Sequence, residues 1–285
     1  MLHGSCGSID DGSPRIFLLV LEERVRVSEF QTMLVVTTVA GAVTGLGALP
    51  VFVRARVSHR VYDAALGLAA GIMIAASVFG LILPGMEEGT LGAVIAGVFV
   101  GGFSLLIANR LIPHLHTRFR GWRGEGGAGD DPELPSTLRR ALLIGGAITL
   151  HNAPEGLAMG VAFASGLEEV AFLLAVVIGL QNVPDGFAFA VPMGETGMSN
   201  TRVLVYTTLS GLVPQVVAAL FGFGLVSVAT GIFPVAAGFA AGAMIAVVFR
   251  EMIPSSHGHG YADAATAAFL VGFALIVVVD ELLVV

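Results

Sequence analysis

Long apolar stretches place the strongest constraint on how this chain folds. Eight of them have almost no charge in their interiors, and each is longer than the roughly 20 residues that a helix needs to cross a bilayer. They lie at about 31–53, 63–86, 90–112, 138–163, 168–193, 203–229, 233–253 and 263–285. A helix satisfies its own backbone polar groups in lipid, and the stretches lack the alternation of a barrel strand. The sequence therefore predicts an all-α polytopic membrane protein with eight transmembrane helices.

Arginine placement predicts the orientation of these helices. The chain has no lysine, so its 14 basic residues are all arginines, and most of them lie in or beside alternate connections between the stretches. The opposite connections carry Glu87, Glu88, Glu168 and Glu169 and no arginine. Because short cytoplasmic loops are enriched in arginine, we expect the arginine-bearing loops in the cytoplasm and both termini outside.

Two segments differ in composition from the apolar stretches. Residues 1–30 carry mixed charge and only a short apolar run, which predicts a poorly ordered surface tail before a helical domain at 31–285. Residues 113–137 are rich in Gly, Pro, Asp and Arg, which predicts a mobile cytoplasmic loop. The single cysteine, Cys6, lies in the tail and excludes both an internal disulfide and a cysteine-built metal site.

One polar pattern occurs twice inside the fourth and fifth stretches. Residues 151–156 read HNAPEG, and residues 181–186 read QNVPDG. Positions four apart share a helix face, so the first and fifth residues of each copy can point their polar atoms at one spot. The proline at the fourth position has no N–H, which frees a carbonyl one turn earlier and bends the helix beside the polar groups. This arrangement is typical of an ion-binding site.

The free-energy cost of burying charge in lipid helps to distinguish functional charged residues from incidental ones. Among acids, arginines and histidines, only His151, Glu155 and Asp185 lie far from the end of any stretch. An ionised side chain at the centre of a transmembrane helix costs roughly 2.5 to 3.5 kcal/mol. The alternative interpretation is structural polar packing in which these groups only pair with one another. Two copies at matching depth favour a ligand or ion site.

A second internal similarity indicates inverted repeats. Residues 67–75 of the second stretch are echoed by residues 238–246 of the seventh, and the two echoes are followed by Ile82-Leu83-Pro84 and Met252-Ile253-Pro254. By the loop charges these two helices run in opposite directions. Helices 1–3 and 6–8 are then inverted repeats around helices 4 and 5. Transporters use this architecture to expose a central site to either side of the membrane in turn.

Ligand chemistry narrows the cargo. Imidazole, carboxylate and amide oxygen without thiolate suit divalent first-row cations such as Zn, Fe, Mn or Co, with Cd also possible, and zinc is placed first. Two other classes stay open, a proton-coupled carrier of a small organic solute and an intramembrane metal-dependent hydrolase. The hydrolase is disfavoured because the HExxH zinc helix is absent. We therefore expect neither an enzyme nor a cofactor nor a nucleic-acid partner.

At these residues the sequence resembles the ZIP (Zrt/Irt-like) metal transporters, particularly their GufA-like prokaryotic branch, over nearly all of residues 33–285. The resemblance is carried by 151–156, 181–186, Ala69–Met73 with Leu83-Pro84, and Ala240–Met244 with Glu251–Pro254. It implies a homodimer in the cell membrane with eight helices and both termini outside. It also implies transport of divalent metal toward the cytoplasm along helices 4 and 5.

The resemblance further implies a set of metal ligands. The main site comprises Met73, His151, Glu155, Gln181 and Asp185, with Asn182 beside them. Asp185 replaces a more usual glutamate, and its shorter side chain reaches the ion less easily. A second site in some members adds Asn152, Asn182 and a glutamate from helix 6. Here the nearest polar residue is Gln215, and the lost carboxylate predicts a single metal in the transport site.

Further candidates lie at the two mouths of the predicted path. Glu87 and Glu88 are candidates for an outer entrance, or else form a solvated turn. Histidines and one acid near the inner ends of helices 3 and 7 are candidates for a cytoplasmic exit, or are incidental loop residues. These inner candidates are His114, His116, Glu251, His257 and His259.

Overall fold

A computed structural model describes residues 13–53, 57–122 and 151–283, with the side chains of 13–26, 111–122, 230 and 283 outside the description. Every regular element among these residues is helical, which confirms the all-α prediction. In chain order the elements are α1 (Ser13–Val43, then the 3-10 turn Thr44–Ala48 and Leu49–Phe52), α2 (His59–Ser77, then the π-helical turn Val78–Ile82 and Leu83–Glu87), α3 (Leu91–Trp122), α4 (151–164), α5 (Glu168–Gly194), α6 (Asn200–Val228, then the 3-10 turn Thr230–Ile232), α7 (Phe233–Val247, then the π-helical turn Val248–Met252 and Ile253–Ser256) and α8 (Ala262–Leu283).

Seven of the described helices are long and apolar enough to cross a membrane. Their spanning parts are Val27–Phe52, His59–Glu87, Leu91–Arg110, Glu168–Gly194, Asn200–Val228, Phe233–Ser256 and Ala262–Leu282. They coincide with seven of the eight predicted stretches. The first half of the other stretch, 138–150, lies outside the described residues, and its second half, 151–163, lies in α4. The protein is therefore a multi-pass membrane protein, and the eighth span stays a prediction.

Two helices extend beyond the boundaries that hydropathy predicts. Helix α1 begins at Ser13, inside the predicted tail, and residues 1–12 lie outside the described residues. Helix α3 ends at Trp122, so the first part of the predicted loop 113–137 is helical rather than irregular. After Pro113 no glycine or proline occurs until Gly121, and nothing in that segment opposes the helix. Hydropathy marks where lipid ends, which is not where a helix must end.

Glycines bring helices together in two equivalent pairs. Among the helix pairs whose contacts the structure describes, the most extensive packing joins α2 to α8 and α3 to α7. A Cβ added at Gly71 would lie 2.0 Å from the carbonyl oxygen of Phe269, and one at Gly242 would lie 2.0 Å from that of Val98. Backbones this close require glycine. The small-residue pattern of the repeats is therefore used for packing within the chain, and the pairs α2·α8 and α7·α3 correspond under the inverted repeat.

The repeats also share a local departure from α-helical geometry. In α2 the N–H of Leu83 donates to the carbonyl of Val78, and in α7 the N–H of Ile253 donates to that of Val248. Each widened turn is followed by a proline, Pro84 or Pro254, whose missing N–H removes an ordinary helical bond. A π-helical turn often marks a functional site. Here both copies lie where the sequence echo predicts equivalent positions.

Burial divides the bundle into a centre and a periphery. The spans of α2, α5 and α7 are the most buried, and α4 is buried along almost all of its described length. The spans of α3 and α8 are the least buried and expose large apolar side chains. The polar motif of α4 and α5 therefore lies in the interior of the bundle rather than toward lipid.

Candidate metal centre

The twin motif forms a buried polar cluster between α4 and α5. Its polar side chains are all 6% exposed or less, in a bundle whose interior is otherwise mainly apolar. They are His151, Asn152 and Glu155 on α4 and Gln181, Asn182 and Asp185 on α5. Buried polar groups are stable only when they find partners, because an unpaired one keeps its full desolvation cost. The contacts of each group therefore indicate what the cluster can hold.

One short hydrogen bond joins the two copies of the motif. The Nε2 of Gln181 donates to Oε1 of Glu155 across the α4–α5 interface. The second oxygen of Glu155, Oε2, has no hydrogen-bond partner among the described residues. The same holds for Gln181 Oε1 and Asp185 Oδ2, and for Asn182 Oδ1. Four buried oxygens that lack donors in the described part of the chain are suited to a cation, since carboxylate and amide oxygens are metal ligands.

His151 is held by a residue of another helix. Its Nε2 contacts Oε2 of Glu251 in the π-helical turn of α7. The other oxygen of Glu251 accepts from Nδ2 of Asn109 on α3 at 2.5 Å. The sequence predicts Glu251 as an exit residue, and the structure places it against a central candidate ligand. Asn109 was missed because its position on α3 carries no motif.

Asn182 and Gln215 form a separate amide pair. The Nδ2 of Asn182 donates to the carbonyl of Ala40 at 2.7 Å and to Oε1 of Gln215 at 3.0 Å. The Nε2 of Gln215 approaches the sulfur of Met159 at 3.3 Å, and Gln215 is fully buried. The neutral amide on α6 thus already has partners through both its oxygen and its nitrogen.

The last residue of each motif permits close helix crossing. A Cβ at Gly156 would lie 2.0 Å from the carbonyl oxygen of Gln215 on α6, and one at Gly186 would lie 1.8 Å from that of Thr44 on α1. Only glycine allows such approaches. The two motifs therefore dock against α6 and α1, which are equivalent helices under the inverted repeat.

The predicted ligands are brought together only in part. Among the described residues no three His, Cys, Asp or Glu side chains are placed to hold a metal ion between them. Glu155, Gln181 and their neighbours meet at the α4–α5 interface, whereas His151 is engaged by Glu251. Met73 is fully buried in the main apolar cluster of the bundle. Metal ligation by this set requires His151 to exchange one partner for another.

An acidic cavity opens beside the predicted outer entrance. It has a volume of about 600 Å³ and lies between the end of α2, the α4–α5 connection and α8. Its acidic lining residues are Glu87, Glu88, Glu168, Glu169 and Asp280. The sequence predicts the first two as entrance residues. The others could have been found from topology, because the end of α2, the start of α5 and the end of α8 face the same side.

The inner histidines do not form one group. The side chains of His114 and His116 lie outside the described residues. His257 is exposed, and its Nδ1 lies 3.0 Å from Ser256 Oγ and from the carbonyl oxygen of Ile253. The Nδ1 of His259 instead contacts Oδ1 of Asp63 on α2 at 2.7 Å. Sequence reasoning missed Asp63, because an acid at the first residue of an apolar stretch resembles a boundary.

Comparison with known proteins gives consistent matches. The model of the family described as ZIP Zinc transporter matches residues 123–280. The chain is 38% identical to the zinc transporter GufA of Myxococcus xanthus over 256 residues, which cover 87% of this chain and 97% of that protein. It is also 38% identical to the zinc transporter ZIPB of Bordetella bronchiseptica over 258 residues, or 85% of this chain and 78% of that protein. The human zinc transporter ZIP11 is 31% identical over 334 residues, which cover 89% of this chain and 97% of that protein.

Proposed function

The chain belongs to the ZIP zinc transporter family, and from this premise we propose that it carries divalent transition metal, zinc foremost, toward the cytoplasm between α4 and α5. The resemblance drawn from the sequence, including its GufA-like branch, is thereby confirmed. Members of this family are transporters and not enzymes, so the hydrolase alternative is not favoured. The metal is cargo, which requires a site that binds and then releases it.

The observation that carries the proposal is a set of four buried oxygens for which the described residues offer no hydrogen-bond donor. They belong to Glu155, Gln181, Asn182 and Asp185, on two adjacent helices in the middle of the bundle. A divalent cation would neutralise the two carboxylates and satisfy the amide oxygens at once. A purely structural polar network would instead be expected to pair these atoms with one another. His151 supplies the nitrogen ligand when it leaves Glu251.

Glu251 provides the next step of the path. Because it contacts His151 Nε2, it competes with the metal for the same nitrogen. An ion that displaces Glu251 from His151 leaves a carboxylate beside the occupied site. That carboxylate can accept the ion on its way out, and α7 ends shortly afterwards in the connection that carries His257 and His259. Side-chain exchange of this kind couples binding to release.

We propose one metal ion per transport site. The position on α6 that would supply a further carboxylate is Gln215, which is neutral and already engaged by Asn182 and Met159. Two dications held by only two carboxylates would keep a net positive charge in a buried setting, which is costly. Asn152 and Asn182 then flank the single ion.

The wider architecture is proposed on the same basis. The resemblance and the arginine-bearing loops support eight helices with both termini outside and a homodimer in the cell membrane. They also support an acidic outer vestibule at Glu87 and Glu88. The chain offers a direct test of sidedness, since Cys6 is its single cysteine. A membrane-impermeant maleimide should label Cys6 in intact cells. Labelling only after permeabilisation would reverse the orientation.

Uptake by reconstituted liposomes tests the proposed function. We expect zinc uptake by the wild type and its loss in His151→Ala and Glu155→Gln. Thr207→Val is the matched control, because Thr207 is equally buried but its hydroxyl donates to the carbonyl of Val203 in its own helix. Uptake should persist in that variant. Zinc uptake that survives both motif substitutions would overturn the proposal, and metal-independent uptake of an organic solute would favour the rival carrier.

A further inference from the structure

We propose a second divalent-metal site at the arginine-loop end of the bundle, built by Asp63 of α2 and His259 of the α7–α8 connection, with His59 as an auxiliary ligand. It would take a d-block cation such as zinc or cobalt. The inference rests on the proposed function only for its role, which is to receive the ion as it leaves the central site. Binding at this site can be measured independently of transport.

Asp63 is a buried carboxylate with one oxygen unaccounted for. It is fully buried in the first turns of α2, although it lies only five positions after the N-cap Ser58. Its Oδ1 contacts His259, while Oδ2 has no hydrogen-bond partner among the described residues. An ionised carboxylate buried in this way is costly unless it is paired with a cation. A single histidine contact leaves half of the group unsatisfied.

The neighbouring imidazoles supply the chemistry of a transition-metal site. His259 Nδ1 lies 2.7 Å from Asp63 Oδ1, and the ring of His59 stacks on that of His259 with centroids 4.4 Å apart and planes 11° apart. Imidazole nitrogens are the commonest metal ligands in proteins, and two of these rings lie beside the buried carboxylate. Imidazole with carboxylate selects d-block ions over Mg or Ca.

Metal binding requires only a small increase in the distance between the two ligand atoms. Two ligands on a tetrahedral zinc with bonds of about 2.0 Å stand about 3.3 Å apart. The present separation of 2.7 Å between Nδ1 and Oδ1 must therefore widen by about 0.6 Å, on the same tetrahedral geometry. His59 joins only after its ring rotates, since no three such side chains converge among the described residues. Two protein ligands completed by water make a weak site, which suits a point of release.

Tyr62 connects this site to the helix that carries Asp185. Pro192 has no N–H, so the carbonyl of Ala188 on α5 lacks its ordinary helical donor. The hydroxyl of Tyr62 donates to that carbonyl at 3.3 Å. The same ring meets His259 edge-on, with centroids 5.6 Å apart. Ala188 lies about one turn after Asp185, so the site adjoins the inner end of the proposed path.

A cysteine reporter gives the sharpest test. The substitution Cys6→Ser removes the single native thiol of the chain. When His259→Cys is added to this full-length protein, the new thiolate should give a thiolate-to-cobalt charge-transfer absorption band on addition of Co²⁺. The added substitution Asp63→Asn should abolish the band, and Asp63→Glu should keep it. His257→Cys is the matched control, since that residue lies two positions away and its ring nitrogens contact Ser256, Ile253 and Thr266 instead of Asp63. We expect no band there that depends on Asp63.

Stoichiometry separates this inference from the proposed function. Equilibrium dialysis of the Cys6→Ser protein with Co²⁺ should show the loss of one equivalent in His259→Gln and of a different equivalent in Glu155→Gln. If His259→Gln binds as much cobalt as the Cys6→Ser protein, or if the absorption band of His259→Cys does not depend on Asp63, the inner site is refuted. The proposed transport through the central site would then still stand. If uptake survives Glu155→Gln but the Asp63-dependent band persists, the proposed function fails and the inner site stands.

Discussion

The π-helical turns of α2 and α7 have matching frames but different chemistry. In α2 the turn reads VFGLI over Val78–Ile82, and in α7 it reads VFREM over Val248–Met252. Where α7 carries Arg250-Glu251, α2 carries Gly80-Leu81. Leu81 is fully buried in the apolar cluster, and a Cβ at Gly80 would lie 2.5 Å from Leu174 Cδ2 of α5.

The contrast shows how a symmetric scaffold can carry a directional path. Each turn faces one of the motif helices: α7 presents Glu251 to His151 of α4, whereas α2 packs its glycine against α5. The backbone plan is shared by both turns, but of the two it is the α7 turn that places a carboxylate beside His151. In the proposed orientation the apolar half closes the outer side, and the polar half offers a step toward the cytoplasm.

The strongest way to break this contrast is Leu81→Glu, which gives both turns a carboxylate. Because Leu81 has no exposed surface and lies among apolar side chains, the new charge would be buried without a partner. We expect a loss of about 3 to 5 kcal/mol in the free energy of unfolding. Thermal unfolding in detergent, with Leu81→Met as the volume-matched control, measures the effect. Equal stability of the two variants would show that the outer half is not apolar at this depth.

The packing of the two halves should respond equally to added bulk. Gly71→Ala and Gly242→Ala each place a methyl group 2.0 Å from a carbonyl oxygen of the neighbouring helix. Both should lower stability by about 1 to 3 kcal/mol through overpacking. Gly179→Ala is the control, because no atom of the described residues lies within 4 Å of its added Cβ and alanine favours a helix. Unequal losses at the two repeat glycines would break the structural equivalence of the halves.

Glu251→Leu makes the two π-helical turns alike in the other way, because neither turn then carries a carboxylate. It removes the partner of His151 and of Asn109, so the central site should hold metal at least as tightly but release it more slowly. We expect zinc uptake to fall about tenfold, equivalent to about 1.4 kcal/mol. Equilibrium binding and initial uptake rates should be measured together, with the exposed neighbour substitution Arg250→Gln as control. Unchanged uptake would exclude Glu251 from the path.

The smallest expected effect is a difference in pH dependence between the two copies of the motif. His151 and Gln181 occupy equal positions, but only histidine titrates near neutral pH. Metal binding needs a neutral imidazole, so protons compete with zinc for the histidine, and lowering the pH from 7 to 6 should weaken zinc affinity severalfold. The loss should be smaller in His151→Gln. Binding isotherms at the two pH values check this, and an equal pH dependence in both proteins would remove His151 from the ligands.

Much of the fold could be predicted because its signals are local. The length of apolar stretches gave seven spans that the structure describes, and the spacing of HNAPEG and QNVPDG gave two buried polar faces. The contact of His151 with Glu251 could not be predicted, because it depends on how α4 and α7 cross. Burial of Asp63 was missed for a similar reason: hydropathy places it at a membrane boundary, while packing of the α7–α8 connection covers it.

Anomalous diffraction from crystals grown with saturating zinc or cadmium tests the central claim most directly. The account predicts a single metal peak in the transport site, within bonding distance of the Glu155 and Asp185 carboxylates, with His151 turned from Glu251 toward the ion. Absence of metal between α4 and α5 at saturation would contradict it.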